Sequence, residues 1–283
     1  MASLAATLHP SEHAASFLQH HQRVHNIPLH TPPLPVIQTN VCSKFRGSSR
    51  ATNSNNGTIV QTVVSSNPVD SLSTSGGILL FHLTSRPAFV TSDGDKIPLA
   101  KHIRQRTQAL ESAISEYLTR DSFITLKSES LTVSAVVLSD SGALTETTLM
   151  SVLAALKSTP DIVVDWTKAP FLVEFCCLRL SKEGEGVKPV EGYFRGEQGD
   201  WGVDSYWVNP TCVEENLATS PPSPSVSDGK CVTGNGLATF CTNRKGDLLG
   251  MTMTGKVEKG IVKELLKIVE QRRDELWKVI EAI

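Results

Sequence analysis

The chain has 283 residues, of which 40% are hydrophobic and 20% charged, with a formal net charge of −2. These values are ordinary for a soluble globular protein, long enough for one large or two moderate domains with a sizeable core. They exclude a strong overall attraction to nucleic acid, so any RNA contact needs a local basic patch. No run of about 18 apolar residues occurs, so no transmembrane helix and no membrane partner are expected.

At the start of the chain, "MASLAATLHPSEHAASF" is small, hydroxylated and poor in acid, with Glu12 the only acid before Asp70. That composition suits an organellar transit peptide, but the segment is rich in His rather than Arg and has no secretory-type apolar core. Residues 8–24 read as a helix beginning near Pro10, with Ala14, Phe17 and Leu18 on one side, and "HTPPLP" ends it. Residues 43–58 are rich in Ser, Asn and Gly and read as a loop or mobile connection. Strands are expected at 58–66 and, once or twice, within 77–90.

From Leu99 to Leu118, apolar residues at Ile103, Ala109 or Leu110, Ala113, Ile114, Tyr117 and Leu118 form a helical stripe. Residues 131–144 read as a buried strand running into a turn, and 145–158 as an apolar helix closed by Pro160. This half mixes strands and helices as one α+β unit. A second set begins at Asp161. It has a strand at 171–181, a Gly-rich connection at 183–202 and a short strand at 204–208. The segment "VNPTCVEENLATS" (208–220) and a Pro/Ser excursion at 220–230 follow. A hairpin is expected over 236–255, turning at Arg244-Lys245-Gly246-Asp247. The last segment, 257–283, is an amphipathic helix with Ile261, Leu265, Ile268, Val269, Leu276, Val279 and Ile280 on one face and charges on the other.

Few motifs carry chemistry. The six cysteines include the adjacent Cys176 and Cys177, and Cys42, Cys212, Cys231 and Cys241 are scattered with no C-x-x-C, so isolated thiols in a reducing compartment are expected. Asn56-Gly57-Thr58 fits a glycosylation acceptor, without a secreted context to support it. "HPSEH" (9–13) matches a zinc-binding H-x-x-E-H pattern, but Pro10 and its place at the very start favour a polar helix start. "TGNGLAT" (233–239) has G-x-G without the strand, turn and helix of a nucleotide site and reads as a turn, as does "DGD" (93–95). There is no G-x-S-x-G, no phosphate loop and no paired carboxylates with obvious partners, so neither a metal nor another cofactor is expected. Lys101, His102, Arg104 and Arg106 on the polar face of the 99–118 helix are the candidate RNA contacts, with a solvated helix face as the plainer reading.

"VNPTCVEENLATS" resembles the V-D-P-T-x-x-E-E-x-L-A-T-G segment of the RNase PH family. "VVLSDSGALTETTLMSVLAALKS" (136–158) is similar to that family's strand, turn and helix ending in L-L-A-A-L. "HPSEHAASFLQHH" (9–21) is similar to the first helix of its non-catalytic exosome ring subunits, although "RVHNIPL" stands where Arg-x-Asp-Gly-Arg would follow. The resemblance implies an α+β fold of mixed sheets packed with helices and a long C-terminal helix. It divides the chain into a tail (1–7), a first domain (8–160) and a second (161–283).

Active members place an Arg and hydroxyls in a G-G-T-R-T turn to bind phosphate, and acids in a D-x-x-A-x-x-D strand. Here "SGALTETT" (141–148) has no Arg, and Glu146 is expected to repel phosphate; "DWTKAPFLVEF" (165–175) has one Asp followed by Lys168. The resemblance therefore implies a non-catalytic subunit with no catalytic residues of its own. Its partners would be other RNase PH-like subunits in a hetero-hexameric ring, S1/KH cap subunits, an associated exoribonuclease and RNA. The role is 3′-to-5′ RNA processing and degradation, rRNA maturation included, in nucleus, nucleolus and cytoplasm. Two alternatives stay open: an active phosphate-dependent 3′ exoribonuclease, or an organelle-targeted protein with a cleaved N-terminus.

Overall fold

A computed structural model describes residues 33–53, 57–68, 79–85, 101–120, 123–126, 129–182, 204–211, 214–215, 218, 230–255 and 261–283. At 67–68, 101–105, 129, 179–182, 204–205 and 230–235 it describes the backbone alone. The expected helix at 8–24, "HPSEH", "DGD" and the connection at 183–202 lie outside the described residues.

A five-stranded sheet comes first. Its strands are β1 (Val36–Thr39), β2 (Gly47–Asn53), β3 (Thr58–Pro68), β4 (Leu79–Ser85) and β6 (Glu129–Ser139), in the order β1-β2-β3-β6-β4. Only β4 and β6 pair in parallel, and helix α1 (Lys101–Thr119) supplies the crossover such a pair needs. The two-residue strands β5 (Ile124–Thr125) and β7 (Val163–Val164) form a small separate ribbon. Helix α2 (Leu144–Lys157) follows β6, and every residue from Leu144 to Leu156 is buried. The second sheet is antiparallel throughout, in the order β11-β10-β8-β9, from β8 (Pro170–Lys182), β9 (Asp204–Val208), β10 (Lys230–Asn243) and β11 (Leu248–Gly255). Helix α3 (Val262–Glu281) closes the chain. Among the described residues no helix is long and apolar enough to cross a membrane.

Two apolar clusters hold the layers. The larger joins Val60, Val64, Val133 and Ala135 of the first sheet to Ile114 and Leu118 of α1, Val152 and Leu153 of α2, and Leu276 and Ile280 of α3. The smaller joins Val173, Phe175 and Cys177 of β8 to Tyr206, Val208, Phe240 and, from α3, Leu265 and Val269. Phe175 and Phe240 meet edge to face, with ring centroids 5.7 Å apart. β8 is covered on both faces, which is why Cys176 and Cys177 are both buried although adjacent strand residues point to opposite sides. Among the described residues, Cys42, Cys176, Cys177 and Cys241 form no disulfide, and burial pushes Cys241 up to about 12, out of reach of thiolate chemistry at neutral pH.

Three expectations need correction. The segment 43–58 is not a loop throughout, because Gly47–Asn53 is a strand. Its Ser49 Oγ donates to the Ser151 carbonyl of α2 at 2.5 Å, and on the neighbouring β3 Thr62 Oγ1 lies 2.8 Å from Ser151 Oγ. Gly47 fits there because a Cβ would run into the Thr159 side chain and the Ala155 carbonyl. "TGNGLAT" is not a turn but part of β10, where the register slips between Gly234 and Gly236. Gly236 has φ +132°, and a Cβ there would strike the Thr254 carbonyl, so this bulge needs glycine. Finally, the charges of α3 do not all lie on its exposed face: the buried stripe runs Leu265, Val269, Arg272, Leu276, Ile280.

Candidate functional site

The turn between β6 and α2 meets the Asn-Pro-Thr segment. The Ala143 amide donates to the Pro210 carbonyl at 2.8 Å, and Gly142 bridges to Thr211. Thr58 Oγ1 donates to the Gly142 carbonyl and accepts from the Ser141 amide at 2.9 Å, tying the turn to β3. Ala143 and Asn209 both have left-handed backbones, at φ 53° and 51°. Such a conformation costs about 1 kcal/mol or more in a residue with a Cβ, so the junction is held by its surroundings. The "PTCVEE" stretch starts a helical turn with a capping box. The Thr211 amide donates to Glu214 Oε2 at 2.8 Å and the Glu214 amide to Thr211 Oγ1 at 3.3 Å.

Around this junction stand four charged groups from four segments. Arg106 of α1 holds Glu215 bidentately, with contacts of 2.8 Å and 2.7 Å, and its Nη1 lies 3.5 Å from Asp140 Oδ2. Asp140 Oδ1 accepts from the Gly142 amide at 3.2 Å. Glu174 of β8 interacts with the charges of Arg106 and Asp140 and with the hydroxyl of Thr145, in the first turn of α2. Glu174 and Glu215 are only 8% and 6% exposed. Desolvation lowers the Arg106 pKa, but Glu215, Asp140 and Glu174 outweigh it and the net shift is upward. Desolvation raises Glu174, and it also raises Glu215 with Glu174 adding to the push, despite the pull of Arg106 on both.

A second arginine reaches the same end of α2 from the other side. Arg272 of α3 grips Glu146 with two bonds of 3.0 Å and 2.7 Å, and also donates to the Pro33 carbonyl at 2.9 Å and to Glu275 at 3.2 Å. Both partners of the main pair are buried, at 3% and 2% exposure. Glu146 therefore does not face an incoming phosphate as the sequence suggested: its charge is taken up by Arg272.

A helix N-terminus with a nearby guanidinium is the chemistry that binds phosphate. Here the chain's own carboxylates already occupy it, three of them against Arg106. The sequence lacked an Arg in the 141–148 turn; the structure brings one to it from α1. Asp165, the single Asp of the 165–175 segment, is half-exposed and caps a short 3-10 turn. The Thr167 hydroxyl donates to it at 2.6 Å, holding its pKa below the usual carboxylate value. Of the basic residues picked out on α1, Arg106 is the one drawn into this cluster, while the side chains of Lys101 and Arg104 lie outside the described residues. At 100° per residue, positions 104 and 106 lie about 200° apart around the helix, so they do not share one basic face. Among the described residues no group of acids, histidines and cysteines is arranged to hold a metal ion.

No protein-family model matches the chain, and no curated protein matches it. Solved structures do share its fold. An archaeal exosome core chain aligns at a TM-score of 0.59 and 15% identity, covering 94% of this chain and 95% of that one. A chain of the Archaeoglobus fulgidus exosome with RNA bound to the active site aligns at 0.60 and 17%, covering 94% and 96%. Rice (Oryza sativa) Rrp46 aligns at 0.56 and 12%, covering 89% and 96%. The α+β arrangement of mixed sheets with a C-terminal helix is thus the fold of exosome core chains.

Proposed function

We propose that this chain is a catalytically silent ring subunit of an exosome-type assembly. The observation that carries the reading is the filled anion site at the start of α2: Asp140, Glu174 and Glu215 face Arg106, and Glu146 is taken by Arg272. An added phosphate would meet an excess of negative charge there, with no free donor cation among the described residues of the cluster. The fold likeness supports the assembly part of the reading. So do exposed apolar side chains at three sheet edges, Val36 on β1, Leu80 on β4, and Leu248 and Met251 on β11.

In this reading the partners are other RNase PH-like chains in a hetero-hexameric ring, S1/KH cap subunits, an associated exoribonuclease and RNA. Lys101 and Arg104 are the RNA contacts to test, since Arg106 is engaged with acids. The division into residues 1–7, 8–160 and 161–283 belongs to the same reading, as do the role in 3′-to-5′ RNA processing with rRNA maturation and the place in nucleus, nucleolus and cytoplasm. The finer affinity, for ribosomal RNA-processing protein 43, rests on the sequence resemblance alone. The purified chain, given RNA and inorganic phosphate, is expected to release no nucleoside diphosphate. Phosphate-dependent release that is abolished by a substitution in the 140–148 turn would overturn the silent assignment.

A further inference from the structure

The four charged groups at the β6–α2 junction do not balance. One guanidinium, Arg106, faces three carboxylates: Asp140 from the end of β6, Glu174 from β8 and Glu215 from the segment after β9. They are not equivalent. Glu215 has both oxygens on the guanidinium, at 2.8 Å and 2.7 Å. Asp140 has the Gly142 amide for one oxygen and Arg106 at 3.5 Å for the other. Glu174 meets the Thr145 hydroxyl from α2, but its Oε2 is buried with no hydrogen-bond partner. An ionised carboxylate oxygen without a donor in a dry site is far more costly than a neutral carboxyl in the same place. Three ionised acids around one arginine would add mutual repulsion to that cost.

We propose that this junction is a proton-locked joint: a proton resides on Glu174 at neutral pH, leaving Glu215 to hold Arg106, and its loss in mild alkali loosens the hold of α1 on Glu215. Protonating Glu215 instead would break a bidentate pair, so the proton settles on the acid with the poorer partners. The two glutamates are coupled, and burial raises both while Arg106 pulls each back, so the one with the weaker hold on Arg106 keeps the proton. The sign follows from linkage. A carboxyl raised in the folded state binds its proton more tightly there than in the unfolded chain. Its contribution to stability is complete below the unfolded value of 4.5 and is lost progressively as pH rises through the raised folded value.

The test is denaturant unfolding of the full chain between pH 6 and pH 9, beside Glu174→Gln and Glu215→Gln. Glutamine copies the neutral acid, so Glu174→Gln should flatten the pH dependence and exceed the wild type in stability at pH 9. The wild type should lose up to about tenfold in its folding equilibrium per pH unit within the window. Glu215→Gln should weaken the fold at every pH, because Arg106 loses its bidentate partner. Equal slopes for the wild type and Glu174→Gln would overturn the proposal. If Glu174→Gln does not fold, infrared titration of the wild type decides. A protonated-carboxyl band present at pH 7 in the wild type, lost in mild alkali and, where that variant folds, missing from Glu174→Gln is expected, and its absence from the wild type at pH 7 would overturn the assignment.

Discussion

Two arginines reach the start of α2 from opposite sides, and they solve different problems. Arg272 and Glu146 are nearly inaccessible, at 3% and 2%, and Glu275 and the Pro33 carbonyl take up the remaining donors. Arg106 is a third exposed, and it faces Glu215 together with Asp140 and Glu174. The first joint is balanced and fastens α3, α2 and the Pro33 segment in one register. The second is overloaded with acid and open to solvent at its rim. A charge pair with all its donors matched works as a clasp, whereas the same pair with two extra carboxylates becomes a site that must bind something positive. In this chain the positive partner is a proton, while the carboxylates that call for it occupy Arg106 and so close to phosphate the place that could hold it.

Removing one side of the balanced joint should have the largest effect. Arg272→Leu leaves Glu146 buried and uncompensated and should cost about 3–5 kcal/mol in chemical denaturation. The double variant Glu146→Leu with Arg272→Leu should recover most of that loss; a double variant as unstable as the single would show that packing, not charge, dominates. At the overloaded joint, Arg106→Gln should cost about 2 kcal/mol near neutral pH, since two charged hydrogen bonds at a partly exposed site are lost. The loss should grow between pH 7 and pH 9 as Glu174 ionises. A pH-independent loss would equate the two joints and erase the contrast.

Smaller changes probe what surrounds each joint. Thr211→Ala removes half of the capping box that positions Glu215 and should lower the unfolding midpoint by an amount equivalent to about 1 kcal/mol. Lys157 Nζ donates to the carbonyls of Ile280 and Glu281 at 2.6 Å and 3.1 Å, at the negative end of the α3 dipole. Thermal melts of Lys157→Ala should register the least change, about 0.5 kcal/mol, and that change should shrink in high salt if the dipole is its source.

The sequence made the long elements legible because each announces itself locally. The stripe through Leu265, Val269, Leu276 and Ile280 and the 3.6-residue period of α1 follow from burying one helix face, and the hairpin of β10 and β11 turns where Arg244 to Asp247 predict it. β2 was hidden because its polar composition mimics a loop. The Ser49 hydroxyl is satisfied by the Ser151 carbonyl of α2, 102 residues away. The Ser48 amide donates to Ser158 just past that helix, while the Ser48 hydroxyl pairs with the backbone of Cys42. The junction was less legible still. Arg106 is 109 residues from Glu215 and Glu146 is 126 from Arg272, and no periodicity links residues at such separations. One clue was available in "PTCVEE": a Thr followed three residues later by Glu marks a capping box, and so a helix start directly after the Asn-Pro-Thr turn.

The assembly itself is the most direct test. The tagged chain, purified under native conditions from its own cells, sized and analysed by mass spectrometry, should come as one member of a complex with other chains of this fold and with S1/KH proteins. Recovery as a lone or homomeric species, particularly one lacking its first residues and residing in an organelle, would contradict the account.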